Sequence, residues 1–208
     1  AANLFFLTDE ADAGDIIVQR AVPVRPDDYA QDLIDRTNRV LEEMVVELAP
    51  AIISGKLPRR AQDHSQATWY GKRTPDDGLI DWSRPAREIW TLIRAASRPY
   101  PGAFTFARGE KHIVWRATWR EGARIDHVGT IGQIVRIDDE RGLLVACGDG
   151  DLLWLNEITD ADAQPIAYDA FRTGMRLGTP TELLTRRLET RVAELEREIR
   201  TLRERDQQ

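Results

Sequence analysis

The chain has 208 residues, a formal net charge of −6, 42% hydrophobic residues and 31% charged residues. This composition is sufficient for a folded core and argues against broad binding to nucleic-acid phosphates, which requires a basic surface. The single cysteine is Cys147, and the three histidines lack the spacing of metal ligands. No apolar run reaches the roughly 18 residues of a membrane span, and the start of the chain does not have the pattern of a signal peptide. We therefore expect a cytoplasmic protein without a metal site.

Two strands and an acidic loop are predicted at the start of the chain. Residues 3–9 (NLFFLTD) form a short apolar run, and residues 15–24 (DIIVQRAVPV) are rich in β-branched side chains. The stretch LTDEADAGDIIVQ, which includes the loop between them, contains three aspartates and a glutamate beside Gly14. Acidic residues packed against a strand are costly unless they have a use, so this loop is a candidate site.

A long helix is predicted next, with Asp27 or Asp28 as its N-terminal cap. Its apolar face is formed by residues at helical spacing, namely Leu33, Ile34, Val40, Leu41, Met44, Val45 and Leu48. We expect Pro50 to kink this helix or to start a new short one, and Gly55 to end it.

An extended, irregular segment is predicted for residues 57–83, which contain proline, a PDDG turn signal and several aromatic residues. Loops of this length are usually functional or serve as linkers. A second amphipathic helix is expected after it, capped by Ser83, with Pro85 in its first turn. Pro99 and Pro101 should stop that helix.

Short strands are predicted from residue 103 to residue 158, separated by Gly or Asp turns. This pattern predicts a small antiparallel barrel that is OB-like. The last segment has a heptad seam at Leu188, Val192, Leu195, Ile199 and Leu202. Because about two heptads are marginal as an isolated helix, this coiled-coil helix either forms a homodimer contact or packs on its own chain.

Four motifs follow one another along the chain, at Asp9 (DEADAGDIIVQ), Tyr70 (YGKRTPDDGLIDWSRPA), Leu92 (LIRAASRPYPGAFTF) and Val145 (VACGDGDLL). In this order and spacing they resemble the second half of the folate-dependent formyltransferases, which include amino-sugar and methionyl-tRNA formyltransferases. The resemblance extends from Leu4 to about Ile158. It implies transfer of a formyl group from 10-formyltetrahydrofolate to a primary amine.

The resemblance also implies an α+β architecture in four parts. Residues 1–56 would be the end of a doubly wound α/β formyltransferase domain, and residues 57–100 a linker with a connecting helix. Residues 101–165 would form the OB-like barrel, and residues 181–208 the C-terminal coiled-coil helix.

Asp12 is the catalytic residue that the resemblance implies, because DAG matches the D-x-G motif of the family. In that family an Asn-x-His pair, upstream of the aspartate, can donate hydrogen bonds to the oxygen of the reacting formyl group. The aspartate raises the histidine pKa or accepts a proton from the amine. The chain contains no Asn-x-His, so we expect it to be inactive alone. A simpler interpretation of Asp12 is a turn residue or a solvated carboxylate.

The same loop is the expected folate site, in which the family pattern places Thr8, Asp9, Glu10, Ala11 and Asp12 against the pterin. Irregular backbone at such a site offers amides and carbonyls for ring recognition. Asp9 also has a purely structural interpretation.

Five further residues are candidates for binding the acceptor. Lys72 and Arg73 could bind a substrate phosphate and Tyr70 could stack on a base, although a linker salt bridge and a packed aromatic ring explain them equally well. Arg98 and Tyr100 could line the acceptor pocket, or they could serve domain packing.

The acceptor is predicted to be an amino sugar on a nucleotide. A tRNA-binding domain should be positive, because phosphate contacts dominate its affinity, but residues 84–160 contain 11 basic and 11 acidic residues. Methionyl-tRNA remains the alternative acceptor. A further alternative is that the chain is a non-catalytic interaction fragment made of a barrel and a coiled coil.

Overall fold

The computed structural model describes residues 1–121 and 126–178, together with the individual positions 185, 188, 192, 195 and 196. The chain divides into two compact units. One comprises residues 1–77 and 94–101, and the other comprises residues 78–93 and the chain from residue 102 onward. The fold is mixed α and β, as predicted. The four-part division, the doubly wound origin of the first part and the OB-like topology of the barrel stay predictions.

The first unit contains a two-stranded antiparallel sheet, formed by β1 (Ala2–Phe5) and β2 (Ile16–Arg20). Strand β2 lies within its predicted segment, whereas β1 begins one residue before residues 3–9 and ends at Phe5. A third segment extends this sheet locally, because Ile16 and Arg60 exchange backbone hydrogen bonds of 2.9 and 3.0 Å. The acidic loop therefore connects two paired strands and lies beside a segment some forty residues further along the chain.

Helix α1 (Ala30–Ile53) begins later than the sequence indicates. The carboxylate of Asp32 accepts a hydrogen bond from the Tyr29 amide at 2.9 Å, so Asp32 satisfies an amide at the helix start. The prediction that Asp27 or Asp28 caps the helix is therefore wrong. The Asp28 carboxylate instead accepts from Arg36 at 2.6 and 2.7 Å.

No new helix starts at Pro50, which lies inside α1. The helix continues through Pro50 to Ile53, and Gly55 follows the C-terminal cap Ser54 with a φ of +67°. The Lys56 amide then donates to the Ala51 carbonyl at 2.9 Å, and this bond closes the last turn. The predicted apolar face is only partly covered, because Met44 is the one buried residue of α1 and Val45 is 46% exposed.

Helix α2 (Ala86–Ala96) is the second predicted helix, but Ser83 does not cap it. The Ser83 side chain donates to Asp81 at 2.6 Å. The amide of Ala86 donates to the Asp149 carboxylate at 3.2 Å instead. A cap from the distant VACGDG motif thus replaces the local one expected from the sequence.

Six antiparallel strands form the sheet of the second unit, namely β3 (Ala103–Ala107), β4 (Glu110–Thr118), β5 (Ile134–Asp138), β6 (Gly142–Ala146), β7 (Leu152–Asp160) and β8 (Leu177–Gly178). Their order is β5-β6-β7-β4-β3-β8. The first five were expected from short strand-like segments separated by Gly or Asp turns. The sequence did not predict β8, because a two-residue strand has no period to detect.

The sheet of the second unit curls until its two outer strands meet. The Ile134 amide donates to the Met175 carbonyl and the Leu177 amide donates to the Gly132 carbonyl, both at 2.8 Å. Gln133 and Arg176 form an antiparallel bridge between these bonds. Strands β5 and β8 therefore cover part of each other's open edge.

The core of the second unit combines apolar side chains with paired polar groups. Ile80 and Trp82 are buried, and Asp81 forms a local turn by accepting from the Ser83 amide at 3.0 Å. The indole N–H of Trp82 donates to the buried Thr105 hydroxyl at 3.0 Å. Trp115 forms the same kind of pair with Thr159 at 2.9 Å. These buried donors are satisfied.

The C-terminal heptad is only partly described. Leu188, Val192 and Leu195 are helical, and their exposed fractions are 61%, 52% and 40%. The other two seam positions, Ile199 and Leu202, lie outside the described residues. The coiled coil and the homodimer stay predictions. Within the described part of the chain, no helix is both long and apolar enough to cross a membrane.

Candidate functional site

The acidic loop of the first unit is closed by backbone contact between its two ends. The Phe6 amide donates to the Asp15 carbonyl at 3.0 Å, which brings Gly14 against Phe6. A Cβ atom on Gly14 would lie 1.7 Å from the Phe6 carbonyl oxygen. Only glycine fits this approach, so the glycine of the DAG motif has a structural explanation.

Gln62 holds this loop from outside. Its side-chain Nε2 donates to the carbonyl of Asp12 at 2.7 Å and to the carbonyl of Gly14 at 2.6 Å. Arg59 packs its guanidinium 3.9 Å from the centre of the Phe6 ring and lies 3.5 Å from the Asp15 carboxylate. Sequence reasoning missed both residues, because nothing in an irregular segment indicates which distant backbone it contacts.

Asp12 lies at the tip of the loop, exposed to solvent and with a φ of +56°. Aspartate is among the few residues that enter this left-handed region readily. Its backbone carbonyl is held by Gln62, while the residue itself is exposed at the surface of the first unit. The catalytic role of Asp12 stays a prediction.

The other residues of the expected folate site are exposed as well, namely Thr8, Asp9, Glu10 and Ala11. Thr8 donates its hydroxyl to the Glu10 carbonyl at 2.9 Å, which shapes the turn. The loop therefore presents irregular backbone at the surface, where its amides and carbonyls are able to bind a ligand. Whether these residues bind folate stays a prediction.

Tyr70, Lys72 and Arg73 lie on an exposed segment between two single-turn 3-10 helices, His64–Gln66 and Pro75–Gly78. Tyr70 is 91% exposed, so it is not a packed aromatic ring in this structure. Within the described residues, neither Lys72 nor Arg73 forms an ion pair, and none of the three residues contacts the acidic loop by a hydrogen bond or ion pair.

Arg98 and Tyr100 follow α2 and belong to the same compact unit as Asp12 and Tyr70. Both are exposed, Tyr100 by 52%, and the Tyr100 amide closes a turn by donating to the Ser97 carbonyl at 3.1 Å. Their role in acceptor binding stays a prediction.

A buried ionic contact stabilises the chain before α1. Arg36 binds the Asp28 carboxylate through both terminal nitrogens, and Arg94 donates to the Asp28 backbone carbonyl at 2.7 Å. The hydrogen bonds from Arg36, followed by the one from the Arg25 amide, hold the pKa of Asp28 well below its usual value. This contact is structural rather than catalytic.

Two other kinds of site are not supported. Burial raises the pKa of the Cys147 thiol to about 12, and Asp149 and Asp151 add to that effect, so this cysteine is not a nucleophile at neutral pH. Among residues 1–121 and 126–178, no three His, Cys, Asp or Glu side chains are placed to hold a metal ion.

Comparison with solved structures finds proteins of similar fold. The chain matches 76% of its length to HypX from Aquifex aeolicus in complex with tetrahydrofolic acid, with 22% identity and a TM-score of 0.61. It matches 74% of its length to the N-formyltransferase from Helicobacter canadensis in complex with folinic acid and dTDP-3-aminofucose, with 17% identity and a TM-score of 0.54. At these identities the likeness concerns the fold.

The sugar 3N-formyltransferase WlaRD, solved with dTDP and 5-N-formyl-THF, has the same fold over 74% of the chain, with 17% identity and a TM-score of 0.52. The chain spans 27% of the length of HypX and 53% and 54% of the two sugar N-formyltransferases.

A family model gives the decisive comparison, because it is built on sequence. The model described as formyl transferase, C-terminal domain, matches residues 72–176, which is about half of the chain. The matched range holds most of the YGKRTPDDGLIDWSRPA motif and all of the last two motifs. The chain therefore belongs to the formyl transferase family, of which it carries the C-terminal domain.

Proposed function

We propose that this chain is the part of a folate-dependent formyltransferase that contributes the Asp12 loop and the C-terminal barrel. The reaction is transfer of a formyl group from 10-formyltetrahydrofolate to a primary amine, and the acceptor is an amino sugar carried on a nucleotide. The observation that carries this proposal is the match of residues 72–176 to the formyl transferase C-terminal domain. The DAG motif stands at the expected place before that domain.

The folate supplies the activated formyl group, and Asp12 supplies a carboxylate. The amine nitrogen bonds to the formyl carbon, and the bond from that carbon to the folate nitrogen breaks. The amine loses one proton, and the departing folate nitrogen gains one. The Asp12 carboxylate accepts the proton from the amine directly or holds a histidine in its charged form. Its position at the surface of the first unit, with its backbone fixed by Gln62, is compatible with both roles.

The exposed turn from Thr8 to Asp12 supports a role in folate binding. Phe6 and Asp15 close the base of the loop, so the backbone above them is held in one conformation without being covered. Pre-ordered peptide groups bind a flat heterocycle without a further cost in ordering the loop.

Charge supports the choice of acceptor. Residues 84–160 are balanced, with 11 basic and 11 acidic side chains, whereas tRNA binding needs a positive surface. Lys72 and Arg73 lie exposed beside Tyr70, and this combination suits one or two phosphates and a base. Methionyl-tRNA is the second candidate acceptor, because the four sequence motifs also resemble the methionyl-tRNA formyltransferases.

The first experiment assays the 208-residue chain with 10-formyltetrahydrofolate and dTDP-linked amino sugars. Because the sequence contains no Asn-x-His, we expect no product above the uncatalysed background. Turnover by this chain would show that the missing pair is not needed and would refute the assignment of roles.

The second experiment repeats the assay with a longer polypeptide that supplies an Asn-x-His pair before residue 1. Asp12→Asn should then lower kcat by roughly 10²- to 10⁴-fold, the usual contribution of a positioned acid or base. Asp139→Asn, on an exposed turn of the second unit, is the matched control and should keep full activity. Equal activity of both variants would contradict the catalytic assignment.

Filter binding separates the acceptors. Tight, salt-sensitive binding of initiator tRNA would exclude the sugar acceptor in favour of tRNA. If neither acceptor binds and no activity is found in the longer polypeptide, the chain is a non-catalytic interaction module.

A further inference from the structure

One end of the barrel in the second unit contains a cavity of about 570 Å³. It lies between the hairpin that joins β3 to β4 and the segment that follows β7. Its wall is formed by apolar residues that include Ile166, Phe171 and Met175, and by the imidazole of His112. A volume of this size is within the range of small-molecule sites.

His112 is the unusual member of this wall. The residue is 8% exposed, and its Nδ1 is sealed from solvent without a hydrogen-bond partner among the described residues. Burial lowers the pKa of His112, although Glu110 and Asp160 act in the opposite direction, so the ring is neutral at pH 7.

The buried Nδ1 determines which nitrogen carries the proton. A proton on Nδ1 would be a buried donor without an acceptor, a state that folded proteins avoid more strictly than an unused lone pair. The neutral ring therefore keeps its proton on Nε2. Because Nδ1 is sealed, Nε2 is the ring nitrogen available to a ligand, and it is a donor.

Phe171 determines the shape of the site. It is buried, and its ring lies 5.2 Å from the centre of the His112 ring at an angle of 62°. Both residues line the cavity, so an apolar aromatic side chain lies beside the imidazole in its wall. Such a surface favours a planar ligand over a branched one.

The rim of the cavity carries charges of both signs. Arg108 and Lys111 stand on the hairpin, while Glu110, Asp160 and Asp162 supply carboxylates. One Asp160 oxygen already accepts from the amides of Asp162 and Gln164, at 2.9 and 2.8 Å. A nearly balanced rim does not compensate the desolvation of an ionic ligand, so it favours an uncharged one.

We propose that this cavity is a second binding site, which takes a small, planar, uncharged aromatic compound bearing a carbonyl acceptor, of the aromatic amide class. The carbonyl accepts from His112, the ring packs on Phe171, and the amide N–H₂ donates to the acidic side of the rim. The site lies wholly within the second unit and does not rest on the formyl-transfer function.

The test uses benzamide as the probe, with the ¹⁵N-labelled chain observed by NMR. Benzamide should produce saturable shifts at the His112 ring nitrogens and at Phe171. Benzoate and benzylamine keep the ring but add a negative or positive charge, and toluene keeps the ring without an acceptor. Each should bind about tenfold or more weakly than benzamide, since each lacks a neutral carbonyl acceptor for the ring N–H.

The variant His112→Phe keeps an aromatic ring of similar size and removes the donor, so it should abolish the preference for benzamide over toluene. His64→Gln, at an exposed position of the first unit, is the matched control and should bind as the unmodified chain does. Toluene and benzamide binding equally to the unmodified chain would overturn the proposal, even if His112→Phe failed to fold. No saturable shift with benzamide would overturn it as well.

Discussion

Gln62 and Asp12 are fifty positions apart in the chain, and the side-chain amide of Gln62 donates to the backbone carbonyl of Asp12 at 2.7 Å. A second N–H of the same amide reaches the Gly14 carbonyl at 2.6 Å. One glutamine thus fixes two peptide groups in the loop that carries the candidate catalytic carboxylate. The position of that carboxylate therefore depends on a segment that contributes no chemistry itself.

Gln62→Met keeps the length of the side chain and removes both donors. We expect the free energy of unfolding of the first unit to fall by about 1–3 kcal/mol, because two hydrogen bonds of about 0.5–1.5 kcal/mol each are lost. The loop around Asp12 should also gain motion. Backbone ¹⁵N relaxation at Asp12 and Gly14 measures the second effect. Gln66→Met, which removes only a local contact to Asp63, is the control. Identical relaxation in both variants would show that Gln62 does not hold the loop.

Gly14→Ala tests the close approach at the base of the same loop. The new Cβ would lie 1.7 Å from the Phe6 carbonyl, so the pairing of β1 with β2 must shift. We expect a loss of roughly 1–3 kcal/mol in the free energy of unfolding, measured by urea denaturation. Gly71→Ala is the matched control, because no atom lies within 4 Å of its new Cβ. A loss of the same size at both positions would contradict the explanation.

The sequence predicts most helices and strands of this protein, because their apolar side chains recur at regular spacing. Strands β3 to β7 alternate or run apolar because their side chains pack inside a curled sheet, and that periodicity is visible in the sequence. Helix α1 is likewise visible from its apolar spacing. The pairing of β8 with β3 has no such signal, since it depends on where the chain returns.

The contacts that hold the candidate site, in contrast to the helices and strands, could not be predicted from the sequence. Motifs identify Asp12, Tyr70 and Lys72, but the contacts that position the Asp12 loop come from Arg59 and Gln62, in a segment without any pattern. Single polar side chains that bind distant backbone leave no periodic trace. For that reason the residues that hold the loop became visible only in three dimensions.

Asp28→Asn tests the contact with Arg36, whose side chain is 17% exposed while that of Asp28 is 7% exposed. The pKa of Asp28 is lower in the folded chain than in the unfolded one. Its stabilisation is therefore complete above the ordinary pKa near 3.8 and is lost as the pH falls through the folded value. The variant should be less stable than the parent at pH 7 and pH 5, and the difference should shrink below pH 4.

Chemical denaturation at each of these pH values gives the comparison. Asp27→Asn, at an exposed neighbouring position, is the control and should follow the parent throughout. A difference between Asp28→Asn and the parent that stays constant down to pH 3 would mean that the carboxylate charge is not the source of the stabilisation.

The Trp82 and Thr105 pair tests whether buried polar contacts in the barrel are coupled. Trp82 is 4% exposed and Thr105 is 1% exposed, and the indole N–H lies 3.0 Å from the hydroxyl. Trp82→Phe and Thr105→Val each remove one partner and leave the other unsatisfied. In a double-mutant cycle followed by thermal unfolding, we expect a coupling of about 1 kcal/mol. The control is Trp69→Phe, at a position that is 82% exposed, and it should change the thermal stability little. If the losses of Trp82→Phe and Thr105→Val simply added in the double variant, the hydrogen bond between them would not be a stabilising contact.

Asp149→Ala tests the cap that α2 receives from the VACGDG motif. The Asp149 carboxylate accepts from the Ala86 amide at 3.2 Å, and the neighbouring Gly148 is required because a Cβ there would lie 1.7 Å from the Ser83 carbonyl. Loss of the cap should lower the free energy of unfolding of the second unit by about 1 kcal/mol. Asp149→Asn keeps an acceptor oxygen, so its stability should fall less. Asp139→Ala is the control, at an exposed position without a helix amide to cap, and its stability should not change measurably. Equal destabilisation of Asp149→Asn and Asp149→Ala would contradict the role of the hydrogen bond. The stabilising factor would then be the negative charge of Asp149 near the positive end of the helix dipole, and the motif would act on α2 by electrostatics alone.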